Sequence, residues 1–374
     1  MMHQIVDYVS VFFEPGEGIA FAVSKAGDDL IGAIGRAPAS KQEGWMYGQQ
    51  IMDLYRETVR TNLRRTRFDA SSRRAFRGWQ RHARTVLTGI LGALPTERVP
   101  FDLQREVVGE TDVYVQERIV YRTRPGLQVP AYLFTPKAAK GPTPTMLCLH
   151  GHSAGGKDDT LDPQGIYAGF TRRFAEQGLV VLAPDQINLG ERKLPQGKDD
   201  YDLLIHGLNM VGQTVIGWRY WDLVRALDLL ETLPLVDRAR IGVMGLSLGG
   251  EMTMFLSALQ TRVRAACICG YLTSHLGTFL HEPHCTCGAL RDLALHFEHV
   301  DIAALIAPRP LFVDSGRRDP MFHTPEAEAT VRELRPIYDL FAKPWEHLGI
   351  EVHDGEHQIA GVESIPWMIA RLRE

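Results

Sequence analysis

The stretch Gly245-Leu246-Ser247-Leu248-Gly249 decides how this chain is interpreted. It follows the short apolar run 240–244 and precedes an apolar segment, 250–256, that is typical of a helix. A serine between a strand and a helix, with a glycine two positions before and two after it, is typical of a turn that presents a nucleophile. Such a turn strains the serine backbone and leaves no room for side chains at the flanking positions. The sequence therefore predicts that Ser247 is a covalent nucleophile.

The segments around this turn alternate between short apolar strands and helices. Upstream, between about residues 113 and 134, the pattern indicates antiparallel strands, and after them strands alternate with helices. This order predicts an α/β fold with a doubly wound, mostly parallel sheet and antiparallel N-terminal strands. We place this catalytic domain at residues 99–374. The interval 186–217 is too long for a plain connection, and we expect it to be an insertion over the carboxyl edge of the sheet, where ligands bind in such folds.

Residues 1–98 are expected to form an N-terminal extension with a helical appendage or partial cap. The pattern is irregular to about residue 40 and helical over about 45–65 and 71–94. Ten arginines lie between residues 56 and 84. We interpret them as a solvated helical face paired with acidic residues, rather than as a surface for nucleic acid or membrane. A homodimer through these helices is a further hypothesis.

Composition sets the broad class of the protein. The chain has 374 residues, is 45% hydrophobic and carries a formal net charge of −4, so nothing in its overall charge favours nucleic acid or an anionic membrane. No apolar run approaches the length of about 18 residues that a membrane-spanning helix needs. The N-terminus has no pattern of a secretory signal. Together with an odd number of cysteines, five, this predicts reduced thiols and a cytoplasmic protein.

Two of the five cysteines, Cys285 and Cys287, follow His284 directly and raise the question of a metal site. Zinc motifs usually separate their cysteines by two or more residues and need a second ligand pair. We therefore favour a structural role for these cysteines near the active site and expect no metal.

A serine nucleophile needs a base to take its proton and an acid to orient that base. In folds of this kind the acid and then the histidine follow the serine along the chain. Asp319 lies in a loop after the predicted strand 310–313, and we favour it as the acid over Asp314, which lies nearer the strand end. His357 follows a glycine turn after the predicted strand 349–353, and we favour it as the base over His353.

An oxyanion hole needs two backbone N–H groups aimed at the developing charge. We assign one to Leu248, directly after the nucleophile. The other is assigned to His152, in a glycine-rich loop after the predicted strand 145–149. The residues that we consider for lining the substrate pocket are His150, Arg192, His206 and His284.

These motifs resemble those of a known superfamily. The segments His150-Gly151-His152, 245–250, 306–310 and Gly355-Glu356-His357 resemble the α/β-hydrolases, and more narrowly bacterial serine esterases related to acetyl xylan esterases and dienelactone hydrolases. The resemblance covers about residues 100–370. It implies hydrolysis of a small-molecule carboxylic ester through an acyl-enzyme, with a Ser-His-Asp triad and without metal or organic cofactor. The esterases often have a tyrosine after His-Gly, where this chain has His152.

Two other functions remain as alternatives. Helical appendages on the same core are similar to those of hydrolases that cleave an activated carbon–carbon bond of a ketone with the same triad. Such an enzyme needs polar or cationic groups for the carbanion, and His206, Arg192 and His284 are the candidates. The third interpretation is a catalytically silent binding protein, because a fold by itself does not imply activity.

Overall fold

A computed structural model describes residues 41–61, 63–280, 284–341 and 344–374, without the side chains of 41–46 and 344–345. The irregular part of the predicted N-terminal extension, residues 1–40, lies outside the described residues. Packing separates one compact unit, Thr58–Glu374, from the chain before it. None of the described helices combines the length and the apolar composition that crossing a membrane requires.

The described residues form a nine-stranded sheet in the order β1-β2-β3-β5-β4-β6-β7-β8-β9. Strands β1 to β3 pair antiparallel, β3 pairs antiparallel with β5, and all later neighbours are parallel. The predicted mostly parallel sheet with antiparallel N-terminal strands is thereby confirmed. The strands are β1 (Gln104–Glu110), β2 (Tyr114–Arg124), β3 (Leu127–Pro136), β4 (Thr143–Leu149), β5 (Val180–Pro184), β6 (Val236–Leu246), β7 (Val263–Cys269), β8 (Leu311–Gly316) and β9 (Leu348–His353).

The described helices include those that connect the strands and cover both faces of the sheet. They are α1 (Lys41–Thr61), α2 (Arg73–Ile90), α3 (Phe170–Glu176), α4 (Lys198–Met210), α5 (Val215–Leu230), α6 (Leu248–Leu259), α7 (Leu293–His296), α8 (His299–Ala304), α9 (Thr324–Asp339), α10 (Pro344–His347) and α11 (Ser364–Arg373). Each face buries its own apolar cluster, one with α2, α5, α6, α8 and α9 and the other with α3 and α11.

The alternation of side chains along the strands explains why each face of the sheet buries a separate apolar cluster. In β4, Leu147 and Leu149 belong to the first cluster, whereas Met146 and Cys148 belong to the second. All four are fully buried. Because successive side chains of a strand point to opposite faces, a strand covered on both faces has to be apolar throughout. The continuous apolar runs in the sequence therefore produce the buried parallel core.

Helix α2 packs in the same compact unit as the sheet. Its first turn is capped by the Ser72 hydroxyl, which accepts a hydrogen bond from the backbone N–H of Ala75 at 3.1 Å. Phe76, Ala83 and Leu87 are fully buried at helical spacing. The domain boundary placed between residues 98 and 99 stays a prediction.

Several of the N-terminal arginines are bound within the chain. Arg64 forms ion pairs with Asp301 and Glu333, each at 2.6 Å. Arg84 donates to the backbone oxygens of Ala258 and Leu305, at 2.9 and 2.7 Å. These arginines attach the N-terminal segment to helices α6, α8 and α9.

The predicted insertion 186–217 contains helix α4. It begins where β5 ends, and the backbone N–H of Gln186 donates to Nε2 of His150, in the loop after β4, at 2.9 Å. Tyr201 on α4 is buried and accepts a hydrogen bond from Arg219 on α5 at 2.6 Å. The insertion therefore starts at the carboxyl edge of the sheet and adds a helix beside α5.

Candidate active site

Four loops that carry predicted site residues, together with the loop after β7, leave the same edge of the sheet. Strands β4, β6, β7, β8 and β9 are parallel neighbours, so their carboxyl ends meet there. The residues that follow these ends are His150-Gly151-His152 after β4, Ser247 after β6, Gly270 after β7, Asp319 after β8 and His357 after β9. The fold thus collects positions that are up to about 200 residues apart in sequence.

The turn at Ser247 is strained. Its φ of 59° and ψ of −121° are outside the regions that a residue with a side chain normally adopts. A Cβ on Gly245 would lie 2.5 Å from the backbone oxygen of Gly249, and a Cβ on Gly249 would collide with the backbone oxygen of Leu149. The glycines that flank the serine are therefore required by close backbone packing.

Ser247 and His357 contact adjacent residues at the end of β7, Cys269 and Gly270. The backbone N–H of Ser247 donates to the oxygen of Cys269 at 3.0 Å. A Cβ on the next residue, Gly270, would lie 3.1 Å from Cε1 of His357. The absence of a side chain at Gly270 therefore leaves room for the imidazole beside the serine turn.

His357 is held by Asp319. Its Nδ1 lies 2.7 Å from Oδ2 of the carboxylate, and the other oxygen, Oδ1, accepts from the backbone N–H groups of Met321 and Phe322 at 2.9 and 3.0 Å. The Asp319 side chain is 1% exposed. The ring of Phe322 stacks on the imidazole with centroids 5.4 Å apart. Carboxylate and ring together fix the imidazole so that Nε2 is the nitrogen left for chemistry.

The two alternative residues, Asp314 and His353, form a pair of their own. Nε2 of His353 lies 3.2 Å from Oδ1 of Asp314, and this carboxylate raises the pKa of His353. Asp314 is fully buried and also accepts from the hydroxyl of Ser364 at 2.9 Å. This pair lies at the carboxyl ends of β8 and β9 and binds the start of α11, whereas Asp319 and His357 lie in the loops that follow these two strands.

The loop after β4 is rigidly supported. Nε2 of His150 accepts from Gln186, so the proton is on Nδ1, which donates to the oxygen of Gly151 at 2.8 Å. Burial lowers the pKa of His150 to about 4. The backbone N–H of Gly151 donates to the hydroxyl of Tyr167 at 2.8 Å. His150 is therefore a neutral, fully buried support of the loop rather than an exposed pocket residue.

The two predicted oxyanion donors belong to segments that adjoin Ser247. Leu248 is the first residue of α6, and the first N–H groups of a helix have no acceptor within the helix. In the loop after β4, a Cβ on Gly151 would lie 3.0 Å from Cβ of Ser247, so the residue before His152 contacts the nucleophile directly. Both N–H groups are thus in segments that adjoin Ser247.

Of the other candidate pocket residues, Arg192, His206 and His284, only His284 contacts a residue that packs on His357 among the ring contacts of the described residues. Arg192 forms an ion pair with Asp222 at 2.9 Å and donates to the backbone oxygen of Asp185 at 3.1 Å. His206 is on the exposed face of α4. His284, in contrast, packs on Phe322, the ring that stacks on His357, with centroids 5.7 Å apart.

A cavity of about 250 Å³ adjoins His284. Aromatic and aliphatic side chains line much of it, among them Tyr271, Phe279 and Leu290. Polar groups of the wall include His275 and Cys285. An apolar cavity with a few polar groups is the usual form of a small-molecule site.

Sequence reasoning missed several residues that this arrangement uses. Tyr167 and Phe322 support the loop after β4 and the imidazole, and no pattern in the sequence identifies such contacts. Glu251, one turn after Ser247 on α6, is 3% exposed, and burial raises its pKa to about 8. Glutamate in an apolar helix is the one signal that could have indicated it, because an acidic side chain is seldom buried without a reason.

A mostly parallel sheet with a strained serine turn and a histidine–aspartate pair at the same carboxyl edge is characteristic of the α/β-hydrolases. Residues 55–331 match the model of the Abhydrolase family, and the chain belongs to that family. The predicted resemblance to the α/β-hydrolases is thereby confirmed. The match begins before α2, so it includes part of the N-terminal segment that the sequence analysis set apart.

Individual relatives agree with this assignment. The protein YtaP of Bacillus subtilis (strain 168), which is named as a hydrolase, is 27% identical over 263 residues, 68% of this chain and 86% of YtaP. A Bacteroides fragilis NCTC 9343 structure described as an acetyl xylan esterase aligns with a TM-score of 0.70 and 19% identity over 85% of this chain and 94% of that one. A glucuronoyl esterase from Solibacter usitatus aligns with a TM-score of 0.57 and 16% identity over 79% and 93% of the chains. At such identities these two structures establish a shared fold.

Proposed function

We propose that this hydrolase cleaves small-molecule carboxylic esters through an acyl-enzyme. The observation that carries the proposal is the strained Ser247 turn, which binds Cys269, the neighbour of the Gly270 that lies beside the imidazole oriented by Asp319. Strain of this kind at a polar residue is characteristic of active sites, where surrounding structure maintains it for function.

In this mechanism, Oγ of Ser247 attacks the ester carbonyl carbon while Nε2 of His357 takes the hydroxyl proton. The carbonyl oxygen becomes an oxyanion, which the backbone N–H groups of Leu248 and His152 stabilise. His357 then gives the proton to the leaving alcohol, and the acyl group remains on Ser247. A water molecule, deprotonated by His357, hydrolyses the acyl-enzyme and releases the acid. Asp319 holds the imidazole and stabilises its positive charge in both steps.

The burial of the supporting groups favours this role. The two carboxylate oxygens of Asp319 together form three hydrogen bonds, and His150 and Tyr167 fix the segment before His152. Donors that are already in place stabilise developing charge without reorganising during the reaction. The names of the structural neighbours, an acetyl xylan esterase, a glucuronoyl esterase and methylesterase BT1017, add support for an ester as the substrate.

The carbon–carbon alternative has less support. It requires a cationic or polar group free to stabilise a carbanion, and Arg192 is already paired with Asp222. His206 is on the exposed face of α4. His284 is the remaining candidate of the three, and it packs between the aromatic rings of Phe279 and Phe322.

A substrate panel tests the proposal. Purified wild-type protein is assayed with nitrophenyl acetate, a methyl ester and a β-diketone, and the esters are expected to be hydrolysed at rates well above that of the diketone. Cleavage of the diketone with negligible ester hydrolysis would establish the carbon–carbon alternative. Turnover of neither class, with no covalent labelling at Ser247, would support a binding protein.

The predicted homodimer through the N-terminal helices and the predicted cytoplasmic location stay predictions. Light scattering on the purified chain decides the first, since a mass of one chain at all concentrations would contradict the homodimer.

A further inference from the structure

We propose that His152, Cys285 and Cys287 form a binding site for a thiophilic divalent cation, Zn²⁺ being the natural candidate. One ligand atom from each residue lies within 4.8 Å of the other two. The Sγ atoms of Cys285 and Cys287 are 2.9 Å apart, and Nε2 of His152 lies 3.1 Å from Sγ of Cys287. The site adjoins the serine turn through the loop that carries His152.

The donor set is the first argument for this ion. Two sulfur atoms and one imidazole nitrogen are ligands that Zn²⁺ prefers, and they select it over Mg²⁺ or Ca²⁺, which bind oxygen. The spacing in the sequence does not predict a metal site, because Cys285 and Cys287 have one residue between them and no second pair of ligands is evident. The fold supplies the missing ligand from His152, 135 residues upstream of Cys287.

The geometry requires a small adjustment. Ligand atoms of a tetrahedral zinc site are about 3.5 to 3.8 Å apart, given bonds of about 2.0 to 2.3 Å. On binding, the sulfur of Cys285 has to move away from Cys287 by less than about 1 Å, and Nε2 of His152 by about 0.5 Å. Cys285 is exposed and directly precedes the short 3-10 turn Thr286–Gly288, so its side chain can rotate. Cys287 is buried and provides the fixed ligand.

A buried guanidinium beside the site is the second, independent argument. Arg219 is 1% exposed, and its Nη2 donates to Tyr201 and to the backbone oxygen of Ile187. In the described part of the chain, its Nε and Nη1 have no oxygen or nitrogen acceptor. The Cys287 side chain is one of the neighbouring groups that raise the pKa of Arg219. Outer N–H donors of this kind orient thiolate ligands, and the pair of thiolates balances the charge of the ion.

The ion would join two loops that border the active site. One carries His152, and the other, 285–287, borders the cavity of about 250 Å³ next to His284. Binding to the folded state alone stabilises it, so saturating Zn²⁺ is expected to raise the melting temperature. Insofar as the proposed function holds, the ion also fixes the backbone donor of the oxyanion hole.

A cobalt titration tests the site without any measurement of catalysis. The full chain is reduced, treated with a chelator, desalted without oxygen and titrated with Co²⁺. One equivalent is expected to produce the thiolate-to-cobalt band in the near ultraviolet and the visible bands of tetrahedral Co²⁺, and Zn²⁺ is expected to displace it. His152→Ala and Cys285→Ser should each weaken binding at least about 10-fold.

The matched control is His82→Ala, which removes an exposed histidine on α2 and should bind Co²⁺ as the wild type does. Failure of the reduced wild type to bind Co²⁺ or Zn²⁺ would overturn the proposal, as would equal affinity in the Cys285→Ser variant. These outcomes are independent of ester hydrolysis, so a metal-free esterase and a metal-binding protein without esterase activity are told apart.

Discussion

Replacing Asp319 with asparagine tests the proposed triad, because the change should move the ring proton of His357 from one nitrogen to the other. Oδ2 of the carboxylate accepts the Nδ1 proton of His357 at 2.7 Å, while Oδ1 accepts the backbone N–H groups of Met321 and Phe322. In the Asp319→Asn variant, the amide oxygen has to occupy the Oδ1 position. The reverse orientation would point the amide N–H₂ at two backbone N–H groups and lose two hydrogen bonds, at about 1 kcal/mol or more each.

The amide N–H₂ of the variant therefore faces Nδ1 of His357. Nδ1 then has to act as an acceptor, and the single proton of the neutral imidazole moves to Nε2. An Nε2 that already carries a proton cannot take one from Ser247. We expect kcat to fall about 10⁴-fold, which corresponds to about 5 kcal/mol in the activation free energy.

The assay is the initial rate of nitrophenyl acetate hydrolysis, with melting temperature measured in parallel. The matched control is Asp314→Asn, which changes the second aspartate–histidine pair, with His353. It should lose stability, because Asp314 is fully buried and also binds Ser364, yet keep kcat within about tenfold of the wild type. The reasoning is refuted if Asp319→Asn keeps kcat within tenfold, or if both variants lose activity equally while remaining folded.

Two further variants test the serine surroundings. Gly151→Ala places a Cβ 2.9 Å from the backbone oxygen of Leu246, so it should displace the loop after β4 and lower kcat about 100-fold or more. The control Gly141→Ala places its Cβ in open space and should have the kcat of the wild type. Equal kcat values for the two variants would contradict the role of the loop. Burial raises the Glu251 pKa from 4.5 to about 8, so its stabilisation is complete below pH 4.5 and lost as pH rises through 8. Between pH 4.5 and 8, the unfolding free energy of the wild type should therefore fall by up to about 1.4 kcal/mol per pH unit relative to that of Glu251→Gln. Unfolding free energies are measured by urea denaturation at each pH, and the same pH dependence in both proteins would contradict this prediction.

The sequence was sufficient for the fold and for the order of the site residues. Apolar runs that alternate with helical segments imply a parallel core, and the strand ends of such a core share one edge. Ser247, Asp319 and His357 were chosen for their positions after predicted strands, and the structure brings all three to that edge. Local rules were enough because each residue is placed by the strand directly before it.

Contacts between distant segments were beyond this reasoning. The imidazole of His152 meets Cys287 only because two loops of different strands converge, and the sequence analysis considered His152 for its backbone alone. His150 was considered for the pocket, whereas Gln186 and the oxygen of Gly151 bind both of its ring nitrogens in the interior. Such pairings depend on tertiary packing, for which one sequence contains no periodic signal.

Covalent labelling of Ser247 tests the central claim most directly. The wild type, Ser247→Ala and the exposed control Ser71→Ala are treated with a fluorophosphonate, and the adduct is located by peptide mass spectrometry. We predict one adduct per chain, on Ser247, in the wild type and in Ser71→Ala, and none in Ser247→Ala, together with loss of ester hydrolysis in that variant. An unlabelled Ser247 in folded wild type, or retained hydrolysis in Ser247→Ala, would contradict the account.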